Sequence, residues 1–189
     1  MSHIPSASQT VGPFFNFGLT TNANLGSLAA AGTEGERIRL TVRVTDGDGA
    51  PTAGDAMIEL WQADSAGRYL HPLDAGSSAC RFHGFGRLET DLDGCCTFET
   101  IRPGRVAGPD GNLQAPHINV LVFARGLLKH LYTRVYFEGD AVNAEDAVLA
   151  LVPEERRATL LARPSASDPA AWSFDIVLQG DRETVFFDV

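Results

Sequence analysis

Cysteine is scarce in this chain, and its placement argues against a domain stabilised by disulfides or by a zinc ion. Only Cys80, Cys95 and Cys96 occur among the 189 residues. The number is odd and no Cys-x-x-Cys pair is present, so the sequence indicates neither a disulfide framework nor a thiolate zinc site. Adjacent residues of a strand point to opposite faces, so we expect Cys95 and Cys96 to lie in different environments.

Basic side chains are also few. Lys and Arg number 15 against 24 Asp and Glu, which gives a formal net charge of −9. A chain with this balance does not bind nucleic acid or an anionic membrane through bulk charge. An acidic ligand would therefore need an individually placed arginine.

Long apolar runs are absent as well. No stretch is long and apolar enough to span a bilayer, and the first ten residues lack the basic start and apolar segment of a secretory signal. With 44% hydrophobic and 21% charged residues, the composition is that of an ordinary globular protein. The length predicts one well-buried domain, which we expect to be soluble and cytoplasmic.

The common catalytic and ligand-binding motifs are missing too. The sequence has no Gly-x-Ser-x-Gly, no His-Glu-x-x-His and no phosphate-binding loop. The histidines never stand at i, i+2 or i, i+4; they are His3, His71, His83, His117 and His130. Since His-x-His on a strand is the compact way to aim two imidazoles at one metal ion, the residues alone favour His117 as a core histidine.

What the sequence does contain is apolar alternation broken by turns. Ile38, Leu40, Val42 and Val44 alternate with polar residues, which predicts a half-buried strand at 37–45 ending at Asp46-Gly47-Asp48-Gly49. Further strands are predicted at 57–63, 95–100, 117–124, 130–137, 173–179 and 184–189. A helix is predicted to begin at Pro153 and to end before Pro164. The pattern is typical of an all-β, antiparallel β-sandwich with one or two short helices.

Residues 1–35 follow a different pattern. They are rich in small and polar residues, yet Phe14, Phe15 and Phe17 follow the Gly12-Pro13 bend within a few positions. A solvated tail rarely carries such a cluster. We therefore predict an extended N-terminal arm, 1–35, docked on another surface, and a sandwich domain, 36–189.

Several short sequence motifs, spread along nearly the whole chain, follow one another in a characteristic order. They are Ser8-Gln9-Thr10-Val11-Gly12-Pro13-Phe14, Ile58-Glu59-Leu60-Trp61-Gln62-Ala63-Asp64-Ser65-Ala66-Gly67-Arg68-Tyr69, Thr90-Asp91-Leu92-Asp93-Gly94, Phe98-Glu99-Thr100-Ile101-Arg102-Pro103-Gly104, Pro116-His117-Ile118, Phe123-Ala124-Arg125-Gly126, Thr133-Arg134-Val135-Tyr136-Phe137 and Glu183-Thr184-Val185-Phe186-Phe187-Asp188. Together they resemble the intradiol ring-cleaving dioxygenases.

Catalytic members of that family hold a ferric ion with two tyrosines and two histidines, beside an arginine. The resemblance places the ligands, in chain order, at Tyr69, at or next to Val106, at His117 and at Asn119. It places the arginine at Gln114. Valine cannot bind iron and an asparagine amide is a poor ligand for Fe(III), so these five positions are predicted to be a vestigial metal site. We expect no metal and no catalytic residue in this chain alone.

The resemblance also implies a partner. Some members pair a chain without iron with a homologous chain that binds Fe(III), and higher oligomers are built from such pairs. The chain without iron lends its arm and one arginine to the partner's pocket for a small aromatic acid. The matching positions are Thr10, Gly12, Pro13, Phe14 and Arg125. With its partner, this chain is expected to take part in the O2-dependent opening of the aromatic ring.

Two other functions stay open at this stage. In the first, the chain is a stand-alone metalloenzyme in which Tyr69 and His117 recruit His71 or His83, although no spacing supports this. In the second, the chain is a non-enzymatic β-sandwich that assembles or binds other molecules. That hypothesis explains the lost ligands but not the aromatic arm.

Overall fold

A computed structural model describes residues 7, 9–10, 12–52, 54–70, 81–109 and 111–188. His71 and Cys80 lie outside the described residues, as do the side chains at 13–16. The eight strands are β1 Arg37–Thr45, β2 Ala56–Gln62, β3 Phe85–Glu89, β4 Cys95–Ile101, β5 Ile118–Ala124, β6 Leu131–Phe137, β7 Leu161–Pro164 and β8 Ala171–Val177. The helices are α1 Pro13–Thr20 and α2 Ala147–Ala150, with 3-10 turns at Ala23–Gly26, Ala141–Glu145 and Glu154–Leu160.

The strands form one sheet in the order β3-β2-β5-β6-β7-β8-β1-β4. The all-β class is confirmed, but the sheet is mixed and not the purely antiparallel arrangement predicted. The pairs β1–β8 and β6–β7 are parallel. A parallel pair needs a long crossover between its strands, and α2 with the two 3-10 turns that flank it supplies this crossover from β6 to β7.

A short N-terminal segment nearly joins the two edges of the sheet. The Leu28 N–H donates to Glu99 on β4 at 2.8 Å, and the Leu28 carbonyl accepts from His83, just before β3, at 2.7 Å. Leu28 and Ala29 are buried in the core. Residues near 28 therefore belong to the domain's own core. Packing of the preceding residues on a partner stays a prediction.

The alternation of apolar and polar residues predicted the bounds of the central strands to within one or two residues. In β1, Ile38, Leu40, Val42 and Val44 are all buried while their neighbours face outward. Cys96 is buried and Cys95 is partly exposed, as their adjacent places on β4 require. These strands enclose a core of aliphatic side chains with Phe98, Phe137 and Phe174.

Two predicted elements differ in the structure. The helix expected from Pro153 is a seven-residue 3-10 turn, Glu154–Leu160, because the chain enters β7 before a longer helix can form. The strand expected at 184–189 is reduced to an isolated bridge between Phe187 and Tyr132. The backbone there turns back onto β8, where Thr184 N–H donates to Val177 O at 2.9 Å.

Helix α1 was not predicted inside the arm. Its proline lies in the first turn, where the missing N–H costs nothing. Within the described ranges, no helix has both the length and the apolar character that a membrane crossing requires.

Candidate functional site

The turn after β2 fixes the position of Tyr69. The Asp64 carboxylate accepts from the backbone N–H groups of Ala66 and Arg68, both at 2.9 Å. Gly67 lies in this turn with φ near +77°, and a Cβ there would stand 1.9 Å from the Arg105 carbonyl oxygen. The Trp-Gln-Ala-Asp block is therefore a local scaffold that carries the chain tightly past Arg105 and delivers Tyr69 to the end of the sheet.

His117 lies just before β5 and is buried. Its Nδ1–H donates to the Ala115 carbonyl oxygen at 2.8 Å, which leaves Nε2 as the unprotonated ring nitrogen. Ala115 is itself held through its N–H, which donates to the buried Asp146 carboxylate at 2.7 Å. Burial, aided by the positive charge of Arg134, lowers the pKa of His117 to about 4, so the ring is neutral at pH 7.

Asn119 connects two tyrosines. Its Nδ2 donates to the Tyr69 hydroxyl at 2.9 Å and to the Trp61 carbonyl at 3.2 Å. Its Oδ1 accepts from the Tyr132 hydroxyl at 2.5 Å. Both ends of the amide are thus occupied by protein groups.

Arg134 brings a positive charge to the same place. It lies directly opposite Asn119 across the β5–β6 pair. Its Nε donates to the Tyr132 hydroxyl at 3.2 Å, and one Nη donates to Gln114 Oε1 at 2.7 Å. Gln114 also donates its backbone N–H to Val106 O at 2.8 Å. The glutamine at position 114 therefore does not leave the site without a cation, because the neighbouring strand supplies one.

Two tyrosines of this pocket, Tyr69 and Tyr136, are held in their protonated form. Burial raises the pKa of Tyr69. The hydrogen bond from Asn119 and the charge of Arg134 lower this pKa, but they offset only part of the effect of burial. Burial also raises the pKa of Tyr136, whose hydroxyl donates to Asp146 at 3.1 Å and whose ring lies 5.9 Å from the His117 ring. Phenolate ligands are consequently disfavoured in this pocket as it stands.

The residues present do not fit a ferric ion. Fe(III) prefers anionic oxygen and imidazole donors, whereas this pocket offers one free imidazole nitrogen, protonated hydroxyls, engaged amides and a guanidinium. Within the described part of the chain there is no group of three or more His, Cys, Asp or Glu side chains placed to hold a metal ion.

A second group of predicted residues lies at the turn after β5. The Thr10 hydroxyl donates to the Ala124 carbonyl at 3.4 Å and accepts from the Gly126 N–H at 3.0 Å, so it bridges the two residues that flank Arg125. The Arg125 guanidinium is 2.8 Å from the Asp55 carboxylate and remains 78% exposed. Its backbone N–H also donates to Asp55 O at 3.2 Å.

The predicted site residues therefore form two groups. Hydrogen bonds link Tyr69, Asn119, Gln114 and Val106, directly or through Tyr132 and Arg134. His117 is bonded to Ala115 instead, and Thr10 and Arg125 meet at the turn after β5. Gly12 and Pro13 follow Thr10 into α1, and the Phe14 side chain lies outside the described residues.

Sequence reasoning missed three residues that organise the first group: Tyr132, Arg134 and Asp146. Tyr132 and Arg134 alternate with buried residues on β6, so the two-residue period of a strand predicts that they share one face of the sheet. Their contacts across strands could not be read from it. Asp146 carries no motif beyond a helix-capping position.

Comparison with known proteins places the chain among dioxygenases. The sequence model of a dioxygenase family matches residues 11–180. The chain is 46% identical over 195 residues to the protocatechuate 3,4-dioxygenase alpha chain of Burkholderia cepacia, covering 96% of each. It is also 38% identical over 157 residues to the beta chain of the same organism's enzyme, covering 77% of this chain and 66% of that one.

The fold is shared with solved structures of lower identity. The dioxygenase domain of a dioxygenase and carbohydrate-binding fusion from Streptomyces sp. SirexAA-E superposes with a TM-score of 0.62 at 24% identity. That match covers 95% of this chain and all of the other domain.

Proposed function

The chain belongs to the intradiol dioxygenase family, and from that membership we propose that it is the alpha subunit of a heteromeric protocatechuate 3,4-dioxygenase. Its partner is an iron-bearing beta subunit of the same fold. Together they use O2 to open protocatechuate between its two hydroxyl-bearing carbons, giving 3-carboxy-cis,cis-muconate in the β-ketoadipate pathway of aromatic catabolism. On this proposal the chain is cytoplasmic, assembles into a higher oligomer of alpha–beta pairs and is inactive alone. Its similarity to both an alpha and a beta chain supports the pairing of two related subunits.

One observation carries the proposal: the start of the arm and Arg125 form a single unit. The Thr10 hydroxyl is hydrogen-bonded on both sides of Arg125, to Ala124 and to Gly126. Two segments separated by more than a hundred residues, both implicated by the family resemblance, are thus joined before any partner binds. A surface that is assembled in advance does not lose the entropy of ordering the arm when the complex forms.

The chemistry of this unit suits an aromatic carboxylate. Asp55 contacts one Nη of Arg125 and leaves the other donors of the guanidinium available. A charge-assisted hydrogen bond from those donors to a substrate carboxylate contributes about 1.5–3 kcal/mol. Two residues after Thr10, Gly12 is open: a Cβ built there would meet no atom within 4 Å. The backbone at Gly12 is therefore accessible to a partner or a substrate ring.

The decisive experiment is Arg125→Ala in the assembled alpha–beta enzyme. From the energy of one charge-assisted bond, kcat/KM for protocatechuate should fall roughly 10- to 150-fold, while activity on catechol, which lacks the carboxylate, should change little. Arg39→Ala is the matched control, since Arg39 is another exposed arginine in an ion pair, with Asp168 at 2.7 Å. If both arginine variants leave protocatechuate kinetics unchanged, the proposed role of Arg125 is wrong.

Gly12→Trp tests the arm separately. A Cβ at Gly12 meets no atom within 4 Å in the isolated chain, so the variant should fold normally and lose activity only in the complex. Unchanged substrate affinity and turnover would favour a purely structural sandwich. Iron analysis completes the test: the chain expressed alone should hold no stoichiometric iron, and co-expression with a beta chain should give iron and activity together.

A further inference from the structure

The vestigial pocket is filled by a connected set of protein groups. Asn119 donates to the Tyr69 hydroxyl and accepts from the Tyr132 hydroxyl. Tyr132 accepts in turn from Arg134, and Arg134 donates to Gln114. Each oxygen that could approach a cation is already engaged in a bond within the protein.

Arg134 differs from three of the other half-buried arginines of the described chain, although Arg156 and Arg157, like Arg134, are bound only through neutral oxygens. Arg87, Arg102 and Arg105 each make an ion pair with a carboxylate at 2.6–2.9 Å. Among the described residues no carboxylate lies within ion-pairing distance of Arg134, which is bound through neutral oxygens alone. A half-buried charge without a counterion costs desolvation free energy. Arg156 and Arg157 offset that cost by binding backbone carbonyls, whereas Arg134 binds side-chain oxygens of the vestigial pocket, which indicates a role within the pocket.

The position of the charge indicates that role. Arg134 stands across the sheet from Asn119, and both Tyr132 and Gln114 turn oxygens towards its guanidinium. The guanidinium is bound by a tyrosine hydroxyl and an amide oxygen of the pocket, so an organic cation takes the place that a metal ion would have beside these donors. A metal ion entering here would meet a like charge instead of empty coordination space.

We propose that Arg134 is an internal cation that replaces the metal ion of this pocket. It binds the neighbouring oxygens in the absence of metal, and it excludes metal by charge repulsion and by engaging the groups that would otherwise be free to bind one. Restoring the lost ligands then gives only weakened metal binding, because tight binding also requires the removal of Arg134. This inference concerns the pocket alone and does not depend on the role proposed for Arg125.

The test uses the full chain with its ligand positions restored, Val106→Tyr with Asn119→His. One version keeps Arg134 and the other carries Arg134→Gln, which retains a planar amide without the charge. Ferric iron is supplied as its nitrilotriacetate, and both bound iron per chain and the tyrosinate-to-iron absorption band are measured. The version with glutamine should bind iron at least about tenfold more tightly, since removing one like charge beside an ion is worth a kilocalorie-scale change in affinity.

Two controls make the result specific. Arg134→Gln without restored ligands should bind no iron, which shows that charge removal alone does not create a site. Arg39→Gln in the restored background removes a charge elsewhere and should not raise affinity. If glutamine at 134 prevents folding, as judged by circular dichroism, Arg134→Met in the same background is read in the same way.

Two outcomes would overturn the proposal. Equal iron affinity in folded chains with and without Arg134 would show that the guanidinium is no barrier. The second is that no folded Arg134 variant with restored ligands binds iron. That result would show that the ligands, and not the charge of Arg134, limit iron binding.

Discussion

Removal of the Asp146 carboxylate tests the physical basis of the candidate site. Asp146 is buried and accepts four hydrogen bonds. Oδ1 takes the N–H groups of Val148 and Leu149 at the start of α2, at 2.9 and 2.8 Å, and the Tyr136 hydroxyl at 3.1 Å. Oδ2 takes the Ala115 N–H at 2.7 Å. One side chain therefore caps a helix, orients a tyrosine and anchors the segment that leads to His117.

The expected loss follows from what Asp146→Ala leaves unpaired. The Ala115 N–H and the Tyr136 hydroxyl are both fully buried, and a buried donor without a partner costs about 1–3 kcal/mol. Loss of the helix cap adds about 1 kcal/mol. The sum is about 3–7 kcal/mol, a large share of the total stability of a domain. The stability of Asp146→Asn should lie between those of the parent and Asp146→Ala. The asparagine side chain has one accepting oxygen and one donating NH2, so one of the donors that bind Asp146 would face an N–H group.

The free energy of unfolding can be measured by urea denaturation of the full chain. The order of stability should be the parent, then Asp146→Asn, then Asp146→Ala. Asp168→Ala serves as control, because Asp168 also accepts a backbone N–H, from Ala170 at 2.9 Å, but at the exposed surface. A loss below about 1 kcal/mol for Asp146→Ala would contradict the hydrogen bonding assigned here, since even the cap alone is worth that much.

Three further outcomes follow from individual residues. The pKa of His117 is lowered to about 4, so the unfolded chain binds a proton before the folded one does. Stability should therefore fall by about 3 kcal/mol as pH drops from 6.5 towards 4, and His117→Gln should flatten that slope in denaturation curves measured across pH. Gly67→Ala should cost about 2 kcal/mol or more by the same method, because its Cβ would stand 1.9 Å from Arg105 O. Gly139→Ala, with a similar φ but open space, should cost about half as much. Burial raises the pKa of Cys96 to about 12, so iodoacetamide at pH 8 should modify it only after unfolding, as mass spectrometry would show.

The strands that pair near the core were predictable because local chemistry decides them. In β1 every second residue is apolar, and a one-residue shift would expose Leu40 and Val42 to solvent, so the register has one good solution. The 3-10 turn at Glu154–Leu160 was harder to predict, because its proline and glutamates suit the first turn of either helix type. The parallel pairing of β1 with β8 depends on contacts between distant segments, which periodicity does not report.

The content of the candidate site was predictable only in part, for the same reason. Position by position, Val106, Gln114 and Asn119 indicated a site that had lost ligands and charge. The replacement charge stands on another strand, opposite Asn119, and only the β5–β6 register brings Arg134 beside it. That register has a further consequence, because the same hairpin ends at the turn that carries Arg125. Hydrogen bonds at the base of the hairpin, from Asn119 through Tyr132 to Arg134, add to the backbone pairing of its two strands. The filled pocket therefore helps to hold the turn from which the proposed contact with substrate extends.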